Sequence, residues 1–140
     1  MDYNEIVTGL FLGNRYSLEA LKLPETSLIV NCTPDLPIPE KYKNHIRLPV
    51  KDDPYESDTL FKLLCDTDVL HRMYSSLSNN VTILVHCSMG MQRSCALVAC
   101  YLIKYHRMTP ADAIQYIRTR RPIAFFGQVN FLRTIELVSQ

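Results

Sequence analysis

The clearest apolar run is Val81-Thr82-Ile83-Leu84-Val85, β-branched and apolar on both faces, the pattern of a central strand. After a short loop, Ser94–His106 is apolar nearly all round and predicts a buried helix. Earlier, Ile6–Leu12 reads as a strand with a turn at Gly13-Asn14, and Arg15–Leu23 as a short helix ended by Pro24. Ser27–Asn31 is a short buried strand and His45–Val50 another, followed by the polar loop Lys51–Ser57. Asp58 predicts the cap of a helix running to about Leu77, with Leu60, Leu63, Leu64, Val69, Leu70 and Met73 on its inner face. Thr109-Pro110-Ala111-Asp112 supplies an N-cap, a proline at the first helical position and an early acid, so a helix runs from there to about Arg118. Gln128–Ser139 predicts a last amphipathic helix. The expected class is α/β, a small mixed central sheet with helices on both faces.

Length and composition narrow this further. The 140 residues form one expected domain, residues 1–140, long enough to bury a core without a disulfide or metal staple. Apolar residues at 47% and charged residues at 21% exclude a disordered chain. The net charge of +1 conceals an asymmetry: residues 1–80 carry eight Lys/Arg against twelve Asp/Glu, residues 81–140 seven against two. A basic second half in a neutral chain suggests a small anionic group as ligand rather than a nucleic acid. Five cysteines without a C-x-x-C pair indicate no metal site. The polar start carries no secretory signal, and the longest apolar run, Cys95 to Ile103, is too short to span a bilayer. The expected setting is reduced and cytoplasmic, with access to the nucleus left open.

The chemistry lies in His86-Cys87-Ser88-Met89-Gly90-Met91-Gln92-Arg93-Ser94, between the central strand and the buried helix. A short loop entering a helix can turn several backbone N–H groups toward one anion, and the helix N-terminus adds partial positive charge. Ser88, Met89, Gly90, Met91, Gln92 and Arg93 would form that cradle. The same field favours a thiolate at Cys87. Arg93 can fork two N–H bonds onto phosphate-type oxygens. A thiolate nucleophile, an anion cradle and a bidentate arginine make a phosphoryl-transfer site. Five cysteines and nine arginines would give the bare spacing Cys-x5-Arg by chance about 0.3 times, so the spacing alone persuades little. The full string in its strand–loop–helix setting is specific. Core packing is the competing reading of Cys87, and the preferred one for Cys95 and Cys100 inside the apolar helix.

The chain resembles the cysteine-dependent dual-specificity protein phosphatases over nearly its whole length. Glu5-Ile6 through Gly9-Leu10-Phe11-Leu12-Gly13-Asn14, Leu28-Ile29-Val30-Asn31, the loop Val85-His86-Cys87 through Arg93-Ser94, Tyr101-Leu102-Ile103 and Arg120-Arg121-Pro122 carry the resemblance. It implies a protein-tyrosine-phosphatase-like fold and metal-free, cofactor-free hydrolysis. Cys87 would attack phosphorus to form a phosphocysteine, Arg93 would hold the phosphoryl oxygens, and Ser94 would help the thiolate leave. His86 would orient the loop and tune it. Gln92 departs from the Ser or Gly that many members carry there, and its side chain would alter which substrates fit.

A leaving oxygen needs a proton, so a carboxylic acid must reach the loop. The resemblance places it on a loop well upstream, where Asp52, 35 residues before Cys87, aligns best and Asp53 is the alternative. Gln128 would place the hydrolytic water or merely start a helix. Arg120 and Arg121 would attract acidic substrates or complement a helix end. Cys32 ends a strand that in some relatives carries a cysteine able to form a protective disulfide with the nucleophile, though the register looks one residue off. The resemblance implies phosphorylated proteins as partners; the charge and the short apolar runs lead us to expect no nucleic acid and no membrane, and the start of the chain almost at its first strand a monomer. Hydrolysis of RNA 5′ ends or phosphoinositides by the same loop is the alternative, and an inactive phosphate-binding module the reading from another class.

Overall fold

Five short strands build the sheet: β1 (Tyr3–Val7), β2 (Leu10–Gly13), β3 (Leu28–Asn31), β4 (His45–Arg47) and β5 (Ile83–His86). The computed structural model describes residues 1–140 and places them in the order β1-β2-β5-β3-β4. Only β1 runs antiparallel to its neighbour. β5 is central and buried at all four positions, as its unbroken apolar run requires. The register sets Gly13, His86 and Asn31 side by side across the three middle strands. The loops that leave β2, β3 and β5 therefore start from one edge of the sheet, where ligands of parallel sheets bind.

The two faces are covered unequally. Leu10, Leu12, Leu28, Val30, Ile83 and Val85 pack into the main cluster of 33 buried residues, which the larger helices supply. The alternate residues Phe11, Ile29 and Leu84 meet Tyr42 together with Leu18 and Leu21 of the short helix α1 (Ser17–Leu21). The α/β class with helices on both faces holds. The remaining helices are α2 (Ser57–Thr67), α3 (Val69–Ser78), α4 (Arg93–His106), α5 (Pro110–Arg120) and α6 (Leu132–Val138). In α4 every residue from Arg93 to Ile103 is buried, which explains its all-round apolar composition. Thr109 caps α5 as its sequence implies, its hydroxyl accepting from the Asp112 N–H at 3.1 Å.

Four local expectations need correction. The segment Ile6–Leu12 is a hairpin, not one strand. Val7 pairs with Leu10 across a two-residue turn, and Gly9 at φ +84° supplies the left-handed second position of that turn. The helix expected from Asp58 to Leu77 is broken at Asp68, whose φ of +54° ends α2 and lets α3 restart at Val69. Asp58 caps nothing. It lies inside the first turn of α2 and accepts from Arg133 Nε at 2.8 Å, while Asp53 caps the preceding 3-10 turn by accepting from the Tyr55 N–H at 2.9 Å. Finally, α6 begins at Leu132, so Gln128 sits in the turn ahead of it rather than at its start. That turn is held by side-chain bonds described below.

Candidate active site

β5 ends at His86 and α4 begins at Arg93, leaving six residues to turn between them. Gly90 makes the turn at φ +67°. A side chain there would also have no room: a Cβ would lie 2.6 Å from Arg121 Nη2 and 2.8 Å from the Gly13 carbonyl. The backbone N–H groups of Ser88, Met89, Gly90, Met91 and Gln92 donate to nothing within the protein. Five successive free donors at a helix N-terminus are the arrangement an anion cradle requires.

Cys87 and Ser94 face each other across this loop, Sγ to Oγ 3.1 Å. Arg93 is buried at the start of α4, where its Nη1 donates to the Val50 carbonyl at 3.1 Å and its Nε has no partner. A buried guanidinium with an unused donor beside a buried thiol leaves capacity for an anion. His86 is buried and neither ring nitrogen has a hydrogen-bond partner. Burial, opposed only in part by the neighbouring Cys87 backbone, pushes its pKa down to about 4. The imidazole is therefore neutral.

The loop is held from other directions. Arg15 donates its backbone N–H to the Ser88 carbonyl at 2.9 Å, and its side chain donates to the Ser88 hydroxyl. On the opposite side stands Arg121, 1% exposed. Its Nε donates to the Gly90 carbonyl at 2.8 Å and its Nη2 to the Met89 carbonyl at 3.3 Å. Its Nη1 reaches the Met1 carbonyl at 3.1 Å and Asn4 Oδ1 at 2.9 Å. By drawing loop carbonyls outward, this fork turns the loop N–H groups the other way. Burial lowers its pKa from the ordinary arginine value, opposed in part by Cys95, Cys87 and Asp2 nearby, although none of its hydrogen bonds goes to a carboxylate. Arg121 is thus a structural clamp and cannot attract substrates, contrary to one sequence expectation. Arg120 stacks over the Tyr116 ring, 5.3 Å from its centroid, and stays exposed.

The two adjacent aspartates are separated by their bonding. Asp53 is occupied as a cap, whereas Asp52 Oδ1 accepts from Asn130 Nδ2 at 3.0 Å. Gln92 has its side chain turned away from the loop mouth. It is 5% exposed, donates to the Gln128 carbonyl at 2.6 Å and accepts from the Asn130 N–H at 3.0 Å. Its expected effect on substrate fit is therefore not direct. Gln128 turns its own amide onto Asn130 Oδ1 at 2.8 Å. Cys32 donates its N–H to the His86 carbonyl at 2.8 Å, which brings it abreast of Cys87, and all five cysteines are free. Burial first, and the nearby Cys87 second, push the Cys32 thiol pKa up. Cys95 and Cys100 are fully buried in α4, as expected of core cysteines. A cavity of about 730 Å³ borders the loop through Arg15 and His86 and continues between α1 and residues 36–42.

The sequence marked Arg121 only as a substrate-attracting or helix-end residue, not as a loop clamp, and did not mark Asn130. The Arg-Arg-Pro string was visible, but nothing local says which arginine folds inward. Asn130 carried no signal at all.

The family model described as "Dual specificity phosphatase, catalytic domain" matches residues 10–140. Human dual specificity protein phosphatase 14 is 30% identical over 126 residues, covering 85% of this chain and 60% of that protein. The Drosophila melanogaster dual specificity protein phosphatase Mpk3 is 32% identical over 127 residues, 84% of this chain and 29% of that protein. The chain thus spans less than two thirds of the curated relatives it matches. The crystal structure of human DUSP28 superposes with a TM-score of 0.85 at 26% identity, covering 99% of this chain and 93% of that one. The structure of PTPMT1 in complex with PI(5)P has a TM-score of 0.75 at 16% identity and shares the fold.

Proposed function

Since this chain belongs to the family of dual-specificity phosphatase catalytic domains, we propose that it hydrolyses phosphotyrosine and phosphoserine/threonine in proteins through a phosphocysteine. The observation that carries this reading is the run of five free N–H groups that follows Cys87, together with the buried Arg93 that ends it. The Cys87 thiolate attacks phosphorus while the N–H groups and Arg93 hold the three equatorial oxygens, whose charge the transition state spreads. As the P–O bond breaks, the leaving oxygen takes a proton from Asp52, the aspartate that caps nothing. Water then attacks phosphorus, Asp52 receives its proton, and the S–P bond breaks to release phosphate. The Ser94 hydroxyl, 3.1 Å from Sγ, donates to the thiolate as it leaves. Gln128 is engaged by Asn130, so we assign no water-placing role to it.

The uncharged loop residues Ser88, Met89, Met91 and Gln92 favour a phosphorylated side chain over the polyanionic ends of RNA or inositol lipids. No helix is long and apolar enough to cross a membrane. We read the chain as a single monomeric catalytic domain acting on phosphoproteins in the cytoplasm.

The test compares a small aryl phosphate, phosphotyrosyl and phosphothreonyl peptides, 5′-triphosphorylated RNA and inositol lipids, with Cys87→Ser as the inactive control. Turnover of peptides that Cys87→Ser abolishes is expected. Equal inertness of wild type and Cys87→Ser would sink the enzyme reading, and efficient turnover of RNA or lipid alone would sink the protein substrate.

A further inference from the structure

We propose that Asn130 is a positioning residue for Asp52, and that Gln92 fixes it in place from within the phosphate loop. This rests on the reading of Asp52 as the general acid. Asp52 lies on an exposed loop, where a carboxylate is free to rotate. Its only hydrogen bond is the one its Oδ1 accepts from Asn130 Nδ2 at 3.0 Å. With Oδ1 held, the transferable proton belongs on Oδ2, which is left free to face a leaving oxygen. The amide orientation is set by its neighbours: a carboxylate only accepts, so NH2 faces Asp52, and the Asn130 carbonyl oxygen accepts from Gln128 Nε2 at 2.8 Å.

Asn130 is itself anchored. Its backbone N–H donates to Gln92 Oε1 at 3.0 Å, and Gln92 Nε2 donates to the Gln128 carbonyl at 2.6 Å. Gln92 is buried, so this carboxamide replaces a solvent shell that the turn would otherwise need. Gln92 immediately precedes Arg93, whose Nη1 holds the Val50 carbonyl two residues before Asp52. Two consecutive residues of the phosphate loop thus grip the acid loop, one by its backbone and one, through Asn130, by its carboxylate. The groups that bind phosphate and the group that protonates the leaving oxygen share a single frame.

A positioned acid matters most where the leaving group is poor, since a good one departs without a proton. The experiment therefore measures kcat/KM across aryl phosphates whose leaving phenols differ in acidity, for wild type, Asn130→Leu, Asn130→Ser, Gln92→Ala, Asp52→Asn and the pair Asp52→Asn/Asn130→Leu. Asn130→Leu should lose about tenfold on the poorest leaving group and much less on the most activated one, so that the dependence on leaving-group acidity steepens. Gln92→Ala should steepen it in the same direction by about threefold. On the Asp52→Asn background, Asn130→Leu should cost nothing further. Should Asn130→Leu unfold, which thermal melting will report, Asn130→Ser carries the test: it keeps a small polar side chain and loses the amide donor. A loss equal across the whole series overturns the positioning role, because a merely structural residue would produce it. A steepened dependence in Asp52→Asn without one in the Asn130 variants overturns the proposal and leaves the acid assignment standing. A flat dependence in Asp52→Asn overturns the acid assignment itself, and the proposal with it.

Discussion

Replacing Arg121 with methionine removes the guanidinium while filling much of its volume. Four hydrogen bonds are lost, to the carbonyls of Gly90, Met89 and Met1 and to Asn4 Oδ1. Bonds from a charged donor are worth about 1.5–3 kcal/mol each in isolation, but they do not add, and the buried guanidinium has itself given up water. The larger cost falls on the loop carbonyls left behind. Gly90 O retains a bond from Cys95 Sγ at 3.4 Å, so the Met89 carbonyl and the N-terminal pair carry most of the loss. A net destabilisation of about 3 kcal/mol follows, or about 10 °C in Tm for a domain of this size. Catalysis should suffer more than stability, since a loop displaced by about 1 Å can cost about a hundredfold in rate. Arg121→Lys, with one ammonium in place of the fork, should recover less than half of either loss. Urea unfolding and kcat/KM for an aryl phosphate measure both. If Arg121→Met unfolds within about 0.5 kcal/mol of wild type and keeps its activity, the clamp reading is wrong.

Gly90→Ala should be at least as damaging, since the new Cβ meets Arg121 and Gly13 below 3 Å at a left-handed φ; more than about 2 kcal/mol of stability and most activity should go, read by Tm and turnover. His86 titrates at about 4 in the folded chain against 6.5 ordinarily, so the unfolded chain binds a proton that the folded chain refuses. Stability is therefore full above pH 6.5 and falls as pH drops toward 4, by about 3 kcal/mol in total. Tm measured across that range should fall less in His86→Gln; an unchanged slope would assign the acid sensitivity elsewhere. Ser94→Ala should slow the second step more than the first, so a burst of phenol should precede a reduced steady rate; loss of rate without a burst would place Ser94 in the first step instead.

Much of this molecule was readable residue by residue. The central strand and α4 stood out because full burial leaves an apolar composition with no amphipathic ambiguity. The loop stood out because cradle, nucleophile and fork must be contiguous. The Val7–Leu10 hairpin hid because its turn needs only one glycine, and apolar residues continue on both sides. The break at Asp68 hid because the apolar spacing resumes within α3. The clamp role of Arg121 hid for a different reason: α5 ends at Arg120, and the extended backbone of Arg121 (φ −132°, ψ 92°) lets it turn inward toward carbonyls contributed by residues about thirty and more than one hundred positions away. Alignment favoured Asp52 over Asp53 only by a single residue's spacing, and the bond from the Tyr55 N–H that occupies Asp53 adds a structural difference between the two that no spacing contains.

The Met1 carbonyl accepts from the same guanidinium that shapes the phosphate loop. Whatever is joined ahead of Met1, whether by a gene or by an affinity tag, acquires a handle on the catalytic loop, since a pull on that first peptide is felt at Gly90 through one side chain. Under the proposed activity, turnover measured with an amino-terminal fusion should therefore differ from turnover measured with a carboxy-terminal one.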